Sequence, residues 1–201
     1  MLLIRRRRPV GEPAPAEEAS QTLRLLEGTA GAGRICAALL ELGIGLSGVR
    51  QAVIDADASI EDLDGIDLDD RFERVVLGSH LVNLPDAGRR DAFVRLAARH
   101  AAAGCQLLLE HHPVDWIETA GEVRAVPGGQ LGMVDIERNP PFVSAVSVYD
   151  VGGRVVRQPF TARVLSEEEL AATLEAVDFK VERRLGPTWL EGVPLPSVAG
   201  R

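Results

Sequence analysis

Leu23-Arg24-Leu25-Leu26-Glu27-Gly28-Thr29-Ala30-Gly31-Ala32-Gly33-Arg34 is the stretch on which the fold turns. Leu23 to Leu26 is a short apolar strand candidate, and Glu27 ends it with a carboxylate. Three glycines then allow a tight turn with unusual dihedrals and leave no side chains in the way of a ligand approaching the backbone. Helical spacing starts at once, with Ile35, Ala38, Leu39 and Leu42 on one face and Gly43 suited to the helix C-terminus. The first turn of that helix has backbone N–H groups without intrahelical partners. A strand, glycine loop and helix start in this order suit a nucleoside-containing cofactor, with Glu27 accepting from ribose or amine groups. The spacing of Gly28, Gly31 and Gly33 does not give the dinucleotide fingerprint, so a nicotinamide cofactor fits less well.

Working outward, residues 1 to 20 read as a poorly ordered lead-in: Arg5 to Arg8 is a like-charge run, and Pro9, Pro13 and Pro15 resist packing. Val49 to Ile54 is a second strand candidate, followed by an acidic stretch from Asp55 to Asp70. Arg74 to Gly78 reads as a buried strand. Pro85 to Ala103 reads as a helix ended by Gly104, with His100 on it and solvated. Cys105 to Leu109 is a further buried strand. The pattern then changes to three antiparallel strands, Gly129 to Ile136, Phe142 to Tyr149 and Arg154 to Val164, with a turn at Gly152-Gly153 and an edge or bulge at Pro159. Ser166 to Glu169 is a capping box, and Leu170, Leu174 and Val177 continue the face of its helix. Phe179 to Leu185 and Thr188 to Val193 are the last strands, with a tail from Pro194.

These elements predict an α/β, Rossmann-like fold with a mostly parallel sheet, an antiparallel β insertion over 129–164 and an antiparallel final strand. One domain over 21–193 carries it, between the lead-in at 1–20 and the tail at 194–201. The 201 residues suffice for such a domain without staples. A net charge of −8 argues against general nucleic-acid binding, which needs clustered basic charge. Two cysteines, Cys36 and Cys105, do not make a disulfide framework and read as buried thiols. No stretch approaches the length of a membrane helix, and the N-terminal pattern is not that of a secretory signal, so a cytoplasmic location is expected.

The segment Leu25 to Ile35 resembles the first motif of class I S-adenosylmethionine-dependent methyltransferases, with Glu27 in the acidic place, Gly31 and Gly33 in the last two glycine places and Thr29 replacing the first glycine. Asp55-Ala56-Asp57-Ala58 resembles the segment whose acidic residue meets the adenine amino group, Asp57 being the closest match. Arg71 to Asn83 resembles the fourth strand and its loop, and Ala103 to Glu110 the turn and fifth strand. The region from Phe142 onward is similar to small bacterial methyltransferases with an antiparallel insertion. The resemblance covers about residues 23 to 193. It implies S-adenosylmethionine as cofactor, held by Glu27, Gly28, Thr29, Gly31, Gly33, Asp57, Ala58 and Ser79.

In the family a carboxylate at the end of the second strand grips the ribose; Arg50 stands there in this chain, and a helix is missing before Val53. Either a strand and helix have been lost, or Val49 to Ile54 is one strand in both roles, since so short a link cannot join parallel strands. Ligands of open parallel sheets bind outside the carboxyl ends of the strands. His80, His111 and His112 all follow predicted strands there. His80 and His111 are the candidate catalytic residues, because an imidazole can remove a proton near neutrality. His111, His112 and Asp115 do not suit a metal: adjacent histidines on an extended segment point opposite ways, and no cysteine cluster assists. Trp116, Phe142, Tyr149 and Trp189 are candidates for an acceptor pocket or for the core. The predicted activity is methyl transfer to a small-molecule acceptor, with no nucleic-acid or membrane partner, and with the insertion either capping the acceptor site or pairing two subunits in a homodimer. The alternatives are a partner-binding protein or a cyclase-like enzyme on the same fold.

Overall fold

The computed structural model describes residues 2–5, 49–52, 59–67, 71–121, 124–126, 129–151 and 154–196. Among these residues, ten strands fall into a six-stranded sheet of order β2-β1-β3-β4-β10-β9 and a four-stranded sheet of order β5-β6-β7-β8. In the larger sheet are β1 (Leu2–Arg5), β2 (Val49–Ala52), β3 (Phe72–Leu77), β4 (Ala101–Glu110), β9 (Phe179–Arg184) and β10 (Trp189–Pro194). β3 and β4 pair in parallel, with Val75 opposite Leu107 and Leu77 opposite Leu109. The other four pairings are antiparallel. Following directions from pair to pair, β2, β3, β4 and β9 run one way while β1 and β10 run the other. The sheet is therefore mixed, parallel where β3 meets β4, and its final strand β10 is antiparallel to β4 as expected.

Apolar alternation sets the core. Val75 and Leu77 of β3, and Cys105, Leu107 and Leu109 of β4, turn to one face of the sheet, where α2 (Ala87–Arg99) and α4 (Glu167–Glu175) cover them. Phe93, Leu96 and Ala97 of α2, and Leu170 and Leu174 of α4, are buried against them. Each helix starts on a side-chain cap. Asp86 accepts from the Arg89 N–H, and Ser166 with Glu169 forms the capping box read from the sequence. Burial pushes the Cys105 thiol up to about 12, which makes it an inert core residue. Cys36 lies outside the described residues. The short helix α1 (Ile60–Gly65) is fastened to α2 by Arg99, which donates to the carbonyls of Leu63 and Ile66 at 3.0 and 2.9 Å.

Four expectations need correction. Leu2–Arg5, read as part of a lead-in, forms β1, wedged between β2 and β3. Its backbone groups find partners on both sides, so the proline- and charge-rich composition that follows does not decide these four residues. The predicted helix to Ala103 stops at Arg99. The His100 carbonyl accepts from the Phe72 N–H at 2.8 Å, and Ala101 pairs with Phe72, so sheet pairing overrides the helix preference of three alanines. Gly104, at φ +75, bends β4 from within rather than capping a helix. His100, expected to be solvated, is fully buried, with Nδ1 2.8 Å from the Leu96 carbonyl. Pro194, expected to open a loose tail, still pairs with Phe179. At the second strand, Val49–Ala52 forms β2 with Arg50 opposite Ile4, and Val53 and Ile54 lie outside the described residues.

The insertion is a meander of β5 (Arg124–Val126), β6 (Gly129–Asn139), β7 (Phe142–Val151) and β8 (Arg154–Arg163). Pro159 lies in β8, an edge strand, where a missing N–H is tolerated. Gly152 and Gly153 lie outside the described residues. Val143, Ala162 and Val164 pack with Trp116 of α3 (Trp116–Thr119) to form a second, smaller core. Among the described residues no helix is long and apolar enough to cross a membrane.

Candidate functional site

The carboxyl ends of β3 and β4 lie side by side, and the chain turns sharply after each. Ser79 and His80 both adopt positive φ, at 59° and 52°, a conformation that costs energy for residues with a Cβ. Glu110, the last residue of β4 and 1% exposed, supports the strained turn. Its Oε2 accepts from the Ser79 backbone N–H at 2.7 Å, and its Oε1 lies 3.5 Å from His80 Nε2. One buried carboxylate thus fixes both the turn and the ring that the turn presents.

His112 completes the arrangement. Its ring stacks on His80 at a centroid distance of 3.8 Å and on Trp116 at 3.6 Å, both at an interplanar angle of 12°. The three rings are parallel, and His80, at one end of the stack, stands beside the Glu110 carboxylate. Asn83, in the 3-10 turn Leu81–Asn83 and 1% exposed, holds the backbone under the stack. Its Oδ1 accepts from the His112 N–H at 2.9 Å, and its Nδ2 donates to the Arg163 carbonyl at 2.9 Å. Trp189 pairs with Glu110 in register and shares its face of the sheet.

His111 alternates to the other face. Its backbone N–H donates to the Thr188 carbonyl at 2.8 Å, and its ring is within reach of the charges of Arg184 and Glu167, which pair with each other at 2.6 Å. It is 4% exposed and its Nε2 has no hydrogen-bond partner among the described residues. Burial pushes its imidazole below the usual histidine range, so the ring is neutral at physiological pH. The structure brings His80 together with His112, therefore, and sets His111 apart from both, because successive residues of an extended segment cannot share a face.

Of the sequence-derived cofactor residues, Ser79 is at this edge of the sheet, exposed and in the left-handed turn. Glu27, Gly28, Thr29, Gly31, Gly33, Asp57 and Ala58 lie outside the described residues. Glu110 and Asn83 escaped the sequence reading. Glu110 had a signal, since Leu108-Leu109-Glu110 repeats the pattern of Leu25-Leu26-Glu27, a carboxylate ending an apolar strand. Asn83 had none. Trp116 and Trp189 are both buried, beside His112 and Glu110 respectively, whereas Phe142 and Tyr149 are half-buried in the insertion. A shallow depression of about 450 Å³ lies on the insertion sheet, lined by Asp135, Glu137, Val146 and Thr161 among others; none of the histidines borders it.

No family model matches the chain, and no curated protein matches it. Solved structures do. An S-adenosylmethionine-dependent methyltransferase from Clostridium acetobutylicum superimposes with a TM-score of 0.53 at 11% identity, over 80% of this chain and 69% of that one. An amino pentose methyltransferase of calicheamicin biosynthesis from Micromonospora echinaspora gives 0.47 at 19% identity, over 66% and 62%. The sugar N-methyltransferase KedS8 from a Streptoalloteichus species gives 0.49 at 18% identity, over 89% and 77%. The chain spans less than two thirds of the length of the Micromonospora enzyme. The likeness to the Clostridium protein shows the fold, a Rossmann-like α/β fold that the two chains share.

Proposed function

We propose that this chain transfers a methyl group from S-adenosylmethionine to a small-molecule acceptor at the carboxyl ends of β3 and β4. The observation that carries the proposal is the assembly of Ser79, His80, Glu110, His112 and Trp116 at that edge, where ligands of open α/β sheets bind. The chemistry of this set suits the cofactor: the buried Glu110 carboxylate beside the His80 ring favours a cationic sulfonium. When bound, the cofactor supplies an electrophilic methyl group on that sulfonium.

His80 removes the proton from the acceptor nucleophile at Nδ1, a buried atom that acceptor binding has to uncover, while Glu110 faces Nε2, holds the ring in orientation and balances the charge it gains. His112 and Trp116 fix the plane of the ring by stacking, which limits it to approaches along that plane. Ser79 offers its exposed hydroxyl to the polar end of the cofactor. On their sequence pattern, Glu27, Gly28, Thr29, Gly31 and Gly33 hold the ribose and methionine parts, and Asp57 with Ala58 holds the adenine. The depression on the insertion sheet has no part in this reading.

Isothermal titration of the chain with S-adenosylmethionine and with its demethylated product is the test. Heat of binding for both, together with methyl transfer to one of a panel of amine and hydroxyl acceptors that falls in His80→Ala while cofactor binding persists, is the expected result. No binding at millimolar cofactor refutes the proposal and leaves a partner-binding role for the fold.

A further inference from the structure

Helix α3 is a single turn of four residues, Trp116–Thr119, too short to be stable alone. Asp115, before it, gives no side-chain cap, and no basic residue sits in its last turn to meet the free carbonyls. The partner comes from the insertion. Arg138 of β6 donates from Nε to the Ile117 carbonyl and from Nη2 to the Ala120 carbonyl, both at 2.7 Å. A planar guanidinium can hold two carbonyls at once in a fixed geometry, which an ammonium cannot. The helix so gripped carries Trp116, 3% exposed, one face of which packs on Phe160 and the insertion core while the other stacks on His112.

We infer that Arg138 is a positioning residue, which through α3 sets Trp116 against His112 and so fixes the plane of His80 beside Glu110. Arg138 is itself exposed and outside the apolar cluster around Trp116. Its removal takes away two hydrogen bonds and leaves the packing atoms in place, so the effect is on alignment more than on the core. The catalytic consequence rests on the proposed role of His80; the alignment does not.

The chain has four histidines, so four Cε1 proton signals report the site and its surroundings in one NMR spectrum, assigned by single His→Gln substitutions. In Arg138→Ala the His80 and His112 signals move away from their ring-stacked positions while those of His100 and His111 stay. In Arg138→Lys the same two signals move less. With a methyl acceptor in hand, Arg138→Ala lowers kcat on the order of 100-fold, the cost of a small misplacement, and leaves KM for S-adenosylmethionine unchanged. Unmoved His80 and His112 signals in a folded Arg138→Ala protein overturn the inference. If that variant does not fold, the lysine variant decides by the same two signals. If the wild-type chain fails to bind S-adenosylmethionine yet the two signals move, the positioning role stands and the methyl-transfer reading falls.

Discussion

Replacing Glu110 by Gln separates two roles that one side chain performs. Glu110 accepts from the Ser79 N–H at 2.7 Å through one oxygen and faces His80 Nε2 at 3.5 Å with the other. A glutamine keeps an acceptor for Ser79 and turns an uncharged amide toward His80. At 1% exposure, water cannot stand in for the lost charge. The 3.5 Å contact must close to hydrogen-bond distance to be worth what a hydrogen bond to a charged group contributes, about 1.5–3 kcal/mol. If that interaction is expressed when His80 takes the proton, the rate of methyl transfer falls roughly 10- to 150-fold at about 1.4 kcal/mol per tenfold. Stability should change little, because His80 is partly exposed and can remain neutral, so no buried charge is stranded. Glu110→Ala differs: it leaves the Ser79 N–H without its acceptor, a cost of about 1–3 kcal/mol, and opens a cavity besides. Urea unfolding and single-turnover methyl transfer, run on both variants, give the comparison. A Glu110→Gln protein that keeps its rate within about twofold of wild type, a difference well under 1 kcal/mol, would show that the carboxylate only fastens the turn.

Other perturbations test the scaffold. The folded-state pKa of His111 is lowered by burial from its ordinary 6.5, so the unfolded chain binds the extra proton first. The stability due to the neutral ring is complete above 6.5 and declines as pH falls below it toward the lowered value, at no more than about 1.4 kcal/mol per pH unit; urea midpoints from about pH 7.5 to about 5.5 should show this slope, and His111→Leu should flatten it. Ser166→Ala removes the capping box of α4, costing about 1 kcal/mol and lowering Tm by about 2–4 °C in a chain of this size. The Ser166 N–H first, and the Arg163 guanidinium after it, hold the Glu169 carboxyl below the usual carboxylate range, so its contribution is lost as pH falls through that lowered value; the alanine variant keeps that backbone N–H and should lose nearly as much as wild type between neutral and acid pH in the same melts. Gly121→Ala should cost about 1–3 kcal/mol, since Gly121 sits at φ +120 and a Cβ would lie 2.5 Å from Ile136 Cδ1. Shortening Ile136 to Val in the same chain should recover the steric part only, and full recovery would discount the backbone strain.

Elements fixed by local chemistry were legible in the sequence. The capping box at Ser166, the buried strands around Val75 and Leu107, and the meander after Gly129 each carry their signal within a few residues. What escaped depends on distant partners. Nothing near Leu2 shows that its backbone pairs with β3, some seventy residues later in the chain. The alanines at 101–103 favour a helix until Phe72 offers a strand to pair with. Glu110 reads as the end of a strand, and only the left-handed turn at Ser79 gives its buried oxygens something to bond. The histidines show the same division. Adjacent histidines are visible in the sequence, and alternation says that they must part, but the choice of His112 over His111 as the partner of His80 depends on which face of β4 carries Glu110.

That choice also gives the insertion a place in the site. Three ties join it to the histidines. Trp116 is shared between the insertion core and the ring stack. Arg138 grips the helix that carries Trp116. Asn83 bonds both the last residue of β8 and the backbone of His112. A meander attached only as a lid would need none of these, and its deletion would leave His80 and His112 stacked. Here the same deletion removes one face of Trp116 and the outer anchor of Asn83, so the alignment of the rings depends on a sheet that contributes no side chain to the stack itself.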